Sequence, residues 1–150
     1  MKNEYDVVIL GAGINGVAAA RSLSLLGKKV VVIEKNHIAA GASSHSSRLI
    51  HGGLRYLEHF EFKLVREALH DQKYLLDTYP DLVQLRSFYL PVYKSSKRQS
   101  WMIQIGLWLY SFFSKHGQKA FKVQKEEFLK KFRGIKEDDL KIVFKYFDGK

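Results

Sequence analysis

The chain has 150 residues, 46% of them hydrophobic and 27% charged, which is the balance of a soluble globular protein with a core of its own. It has no cysteine, so disulfides, thiolate metal sites and cysteine nucleophiles are excluded, and its six histidines lack the H-E-x-x-H type of spacing, so no metal is expected. A formal net charge of +10 calls for an anionic partner, either an acidic membrane surface or a phosphorylated small molecule, since no Cys/His finger or aromatic RNA-binding signature points to nucleic acid.

The first residues, Met1 to Asp6, place acids before a short apolar run that Gly11 breaks, which is not the layout of a secretory signal; a cytoplasmic location is expected. Asp6 to Leu10 is rich in Val and Ile and reads as a strand buried on both faces of a parallel sheet. From Ile14 to Leu26 the residues Ile14, Val17, Ala18 and Leu25 recur at helical spacing, and Gly27 closes the helix. Lys29 to Ile33 is a second buried-type strand, ending at Glu34. These elements predict a strand-helix-strand unit.

Ala39 to Arg55 is rich in Gly, Ser and Ala and reads as a structured loop. A long helix is predicted from Glu61 to Tyr79, with Phe62, Val65, Leu69, Leu76 and Tyr79 on one stripe and Pro80 ending it. Phe88 to Tyr93 predicts a strand that Pro91 confines to an edge or bends. Gln99 to Ser114 is uncharged, with Lys97, Arg98 and Lys115 at its ends, and falls short of the roughly 20 residues that span a bilayer. It reads as a buried helix, or as a monotopic helix facing a membrane. Gln124 to Phe132 predicts a short charged helix, and Ile142 to Phe147 alternates weakly before Asp148-Gly149-Lys150, which reads as a turn.

The turn "GAGING" satisfies the dinucleotide pattern at Gly11, Gly13 and Gly16. Gly11 permits the tight turn, Gly13 lets backbone amides approach a pyrophosphate, and Gly16 allows close packing of helix on strand. The pyrophosphate would sit at the helix N-terminus, where unpaired N–H groups and the dipole favour anions. Glu34, about 18 residues after Gly16, is placed to accept hydrogen bonds from an adenosine ribose. Candidate cofactor residues are therefore Gly11, Gly13, Ile14, Asn15, Gly16, Glu34 and Lys35. FAD and NAD both satisfy this geometry, and a purely structural turn is the alternative.

The stretch "GASSHSSRLIHGGLRYLEHFEFKLVREAL", Gly41 to Leu69, closely resembles the FAD-dependent glycerol-3-phosphate dehydrogenases, a family of the D-amino-acid-oxidase type. The likeness runs from Asp6 to about Gly149, with "LRSFYLPVY" and "WMIQIGLWLY" as weaker motifs. The resemblance implies FAD as cofactor and oxidation of sn-glycerol 3-phosphate to dihydroxyacetone phosphate, with electrons passed on to a membrane quinone. It implies that Ser43 and Ser44 lie beside the cofactor, against a reading as helix caps. It makes His51 the best candidate for a polar group near the flavin ring, against a structural histidine, and lets Arg55 and Tyr56 reach a phosphorylated substrate, against a surface ion pair or core edge. Arg48 stands where many members have lysine and is given no sharp role, because a guanidinium fork is not an ammonium point charge. His45, His59, His70 and His116 read as structural or solvated.

The fold class implied is α/β: a Rossmann-like FAD-binding half with parallel strands over residues 1–60, then a helix-rich start of a substrate domain over 61–150. Members of the family close the cofactor site with later segments, so the chain is expected to be the N-terminal portion of a longer enzyme, its basic charge fitting peripheral contact with the inner face of an acidic membrane. Two other functions are weighed: a non-catalytic fragment or FAD-binding half-module, and a flavin oxidase acting on amines, against which Gly41 to Tyr56 argues.

Overall fold

The computed structural model of the chain describes residues 4–114 and 117–150; the basic flank at Lys115, His116 and the first three residues lie outside these. The fold divides into two compact units, Met1–Ser47 and Arg48–Lys150.

In the first unit, β1 (Val7–Leu10) pairs in parallel with β2 (Val30–Ile33), and α1 (Ile14–Leu25) connects them. Runs of Val and Ile favour the pleated conformation because their branched side chains restrict χ1. Gly27 ends α1 at φ +77, a left-handed conformation that costs glycine nothing. The expectation of burial on both faces is corrected here. Val8 and Leu10 are 55% and 80% exposed, and no residue of α1 is buried, so Ile14, Val17 and Leu25 mark a helix but not a packed stripe. One helix on a two-stranded sheet supplies a single covering layer, whereas a strand buried on both faces needs two.

The second unit begins with a 3-10 helix (Leu54–His59) and α2 (Phe62–Thr78). Then follow β3 (Leu85–Tyr93), α3 (Ser100–Phe113), β4 (Phe121–Val123), α4 (Lys125–Lys131) and β5 (Leu140–Gly149). The strands form an antiparallel sheet in the order β3-β5-β4. Pro91 lies on β3, an edge strand, where a residue without an N–H is tolerated. The stretch read as helix-rich thus also carries a sheet, whose three-residue β4 is too short to leave a periodic signal.

The central strand β5 sorts the core by its two-residue period. Ile142, Phe144 and Tyr146 pack with Val92 and Leu107 of α3, and Asp148 continues the same alternation. Leu140 and Val143 pack instead with Phe128 of α4; they share a face because the register shifts opposite Val92 and Tyr93. Asp148-Gly149 is not the turn its composition suggests: Asp148 lies opposite Arg86 and Gly149 opposite Leu85 within the strand. Leu57, Val65, Leu69 and Tyr110 form a further cluster between the 3-10 helix, α2 and α3.

The reading of Gln99 to Ser114 as a buried helix holds for one face only. Leu107 and Tyr110 are buried, whereas Trp101, Ile105, Trp108 and Phe112, on the other face, are exposed. Among the described residues no helix is long and apolar enough to cross a membrane. Leu107→Ala is expected to cost about 2–5 kcal/mol through lost transfer energy and a cavity, read as a lower urea midpoint at unchanged slope. Phe112→Ala, at an exposed position, is expected to stay within about 0.5 kcal/mol; equal effects would contradict this assignment of faces.

Candidate functional site

The glycine turn joins β1 to α1. Gly11 has φ +98, and a methyl group at Gly16 would stand 2.0 Å from the Gly11 carbonyl oxygen, so both glycines are demanded by the fold of the turn itself. Gly13 is different. Its backbone is extended, with φ −74 and ψ −179, and an added Cβ would meet only Ser43 Oγ at an ordinary 3.5 Å. Among the described residues nothing requires a glycine there, and its lack of a side chain leaves the start of α1 open to the approach of a ligand.

The second strand and the following loop close around this turn. One carboxylate oxygen of Glu34 accepts the Ala12 N–H at 2.8 Å and the other the Asn36 N–H at 3.0 Å. These two bonds, Ala12 first, hold the Glu34 carboxyl below the usual carboxylate range. A carboxylate has about four acceptor sites, so both oxygens retain capacity for ribose hydroxyls. The Ala39 N–H donates to the Ala12 carbonyl at 2.9 Å, and Ser43 Oγ accepts the Ile14 N–H at 3.0 Å. Ser43 thus caps α1 from a distance of 29 residues in sequence. Ser44 is exposed and donates its N–H to the Gly41 carbonyl; Asn15 and Lys35 are exposed as well. The first unit therefore gathers Gly11, Gly13, Ile14, Gly16, Glu34 and Ser43 around one helix N-terminus, an arrangement that fits the ADP end of a dinucleotide.

The other candidates belong to the second unit. His51 is exposed in an irregular segment, and Arg55 and Tyr56 follow on the 3-10 helix, Arg55 exposed and Tyr56 at the border of exposure. Arg48 has φ +55. Around His51 the backbone is held by buried polar side chains that sequence reading did not single out. The Gly52 N–H donates to the Tyr110 hydroxyl at 2.8 Å and to Asp148 Oδ1 at 3.2 Å, while Tyr110 donates its own proton to Asp148 at 3.0 Å. Gln72 donates to both the Ile50 carbonyl and Asp148. Gly52 must be glycine, because a Cβ would fall 2.2 Å from Leu69 and 2.5 Å from the Tyr110 hydroxyl. Gly53, at φ +73, is pressed against the Tyr56 ring.

These features belong to a recognisable class. The profile of the FAD dependent oxidoreductase family matches residues 6–149, and the chain belongs to that family, whose cofactor is FAD. It is 47% identical over 147 residues to the glycerol-3-phosphate dehydrogenase of Synechocystis sp., a match covering 97% of this chain and 27% of that protein. The aerobic glycerol-3-phosphate dehydrogenase of Escherichia coli is 44% identical, over 73% of this chain and 22% of its own length. The D-erythritol 1-phosphate dehydrogenase of Brucella abortus is 46% identical, over 70% of this chain and 21% of its own. The chain thus spans about a quarter of the length of the curated relatives it matches. In fold it is similar to the glycine oxidase of Bacillus cereus, with a TM-score of 0.55 at 20% identity, over 97% of this chain and 39% of that one. The mixed α/β class with a parallel sheet agrees with this likeness.

The tyrosines give a pH test of the network. Burial foremost, and then the neighbouring Asp148 charge, pushes the Tyr110 hydroxyl far above its usual range and raises that of Tyr146. The hydrogen bond from Lys131 lowers Tyr89. An unfolded tyrosine ionises near pH 10, so Tyr110 and Tyr146 stabilise the fold below about pH 10 and lose that contribution as the pH climbs through their raised values. In an alkaline titration the tyrosinate absorbance of the folded chain should fall short of all eight tyrosines, with the remainder appearing on unfolding. All eight ionising in one step near pH 10 without unfolding would contradict the network.

Proposed function

We propose that this chain forms the FAD-binding and signature-loop part of an enzyme that oxidises sn-glycerol 3-phosphate to dihydroxyacetone phosphate and passes the electrons to quinone. The observation that carries the cofactor half of this reading is Gly13, where a side chain would meet no obstacle among the described residues. The substrate half is supported by the 97% of the chain that aligns with a glycerol-3-phosphate dehydrogenase. The similarity to D-erythritol 1-phosphate dehydrogenase favours a second, broader reading, any polyol carrying a terminal phosphate. Residues 1–60 are assigned to the cofactor and signature loop, and 61–150 to the start of the substrate domain.

Bound FAD supplies the two-electron acceptor that takes the carbinol hydrogen as hydride. The chain's own residues do the rest. The pyrophosphate would lie at the N-terminus of α1, against Gly13 and Asn15, with the Ile14 amide held by Ser43 Oγ, whose own hydroxyl proton is left to donate, and with Ser44 from the loop. Glu34 takes the ribose hydroxyls, with Lys35 next to it. His51 presents an imidazole to accept the proton of the secondary hydroxyl. Arg55 and Tyr56 clamp the substrate phosphate, the guanidinium supplying paired N–H donors. The exposed aromatic face of α3, with Lys97 before it, supports peripheral contact with the inner face of an acidic membrane, where quinone resides.

The test is a chimera in which this chain replaces the matching quarter of the Synechocystis relative, assayed with an artificial electron-accepting dye. Oxidation of glycerol 3-phosphate is expected, with Arg55→Ala raising KM about tenfold or more, the scale of one lost charged hydrogen bond. A yellow chimera that oxidises glycine or another amine and ignores polyol phosphates would overturn the substrate assignment.

A further inference from the structure

The segment that carries His51 is held on both sides by groups from three separate elements. On one side Ile50 donates its N–H to the Gly149 carbonyl at 3.0 Å and accepts from Gln72 of α2 through its own carbonyl. On the other, the Gly52 N–H is shared by Tyr110 of α3 and Asp148 of β5. Gln72, Tyr110 and Asp148 are only 1%, 2% and 5% exposed, whereas the His51 side chain between their two anchor points is exposed. Two glycines make this approach possible: Gly52, as described, and Gly149, where a Cβ would lie 2.8 Å from the Ile50 carbonyl oxygen.

Such an arrangement exceeds what holding a surface segment requires. A buried carboxylate with its donors contributes no more stability than well-packed apolar side chains of similar volume. What it adds is direction: each donor and acceptor is fixed, and Tyr110, which gives its proton to Asp148, can only offer a lone pair to Gly52. The polar groups converge on the two peptides flanking one exposed imidazole. Displacement of a reacting group by about 1 Å costs about a hundredfold in rate, so rigidity at this position has a chemical use.

We propose that Tyr110, Asp148 and Gln72 are positioning residues that fix the His51 imidazole for the reaction, acting through the Gly52 amide and the Ile50 carbonyl. This rests on the reading of His51 as a group at the reacting alcohol. Tyr110→Phe is the most conservative probe, because it keeps the ring in its cluster with Leu57, Val65 and Leu69 and deletes only the hydroxyl.

Two measurements test it. In the 150-residue chain, hydrogen exchange at the Gly52 amide should be slow and should accelerate at least tenfold in Tyr110→Phe, while the amides of Val65 and Leu69 in α2 stay protected. Unchanged Gly52 exchange in that variant would overturn the proposal. In the chimeric enzyme, Tyr110→Phe should lower kcat about tenfold, and this loss should vanish in a His51→Gln background, because a positioning residue acts only through the group it places. An equal loss in both backgrounds would make Tyr110 merely structural and overturn the proposal while leaving His51 in its role. Full activity in His51→Gln alone would instead overturn the reading of His51, and the proposal with it. Should Tyr110→Phe fail to fold in the chimera, Asp148→Asn, of the same shape, is measured in the same two backgrounds, with the same outcomes deciding.

Discussion

One oxygen of the Asp148 carboxylate collects donors from the Gly52 amide, Gln72 of α2, Tyr110 of α3 and the amide of Gly149 beside it. A buried carboxylate is costly unless such donors replace its water, so its place in the core depends on all of these elements supplying them. That requirement explains why β5 runs through Asp148 and Gly149 rather than turning, and why α2 carries a glutamine on its apolar stripe. It also explains why the loop after Arg48 comes down onto the helices at a glycine. Apolar packing of Leu57, Val65, Leu69 and Tyr110 supplies the bulk of the driving force around this point, and the carboxylate sets the register.

The first unit is organised by a different constraint, the backbone itself. The Gly11 carbonyl and the Gly16 Cα share a space that admits no side chain, and this fixes where α1 starts relative to β1. Glu34 and Ser43 then satisfy amides at and after the turn from distant points in the chain. The outcome is a helix N-terminus whose dipole favours an anion, with the Glu34 carboxylate beside it able to accept hydroxyl donors, which in an FAD-dependent family suits a pyrophosphate and its ribose.

Much of this was legible in the residues because it depends on local rules. The paired Val and Ile runs, the three spaced glycines, Gly27 at a helix end and the stripe from Val65 to Leu69 each state their geometry within a few positions. Pro91 likewise limited its strand to an edge or a bend, and β3 is an edge. What stayed hidden depends on contacts across the chain. Asp148-Gly149 carries the composition of a turn, and only pairing with β3 reveals a strand. Gln72 reads as an interruption of an apolar stripe until its partners are known. The uniform run of α3 has too few polar residues to say which side faces the core. For Gln72 the sequence did hold a signal, a polar side chain in phase with Val65 and Leu69, since a polar group at such a position must find partners. His51, Arg55 and Tyr56 are a case apart: their proposed roles come from the resemblance of Gly41 to Leu69, and no periodicity or spacing would have supplied them.

We propose that the glycine at position 13 serves a ligand and not the fold. The most direct measurement is a titration of the purified chain with FAD, followed by flavin fluorescence, beside Gly13→Val and Glu34→Ala. Saturable binding to the parent chain, lost in Gly13→Val while the variant keeps the parent's circular dichroism, is the predicted result, with Glu34→Ala weakened in parallel. Binding that survives Gly13→Val unchanged, or no binding by a folded parent chain, would contradict the account.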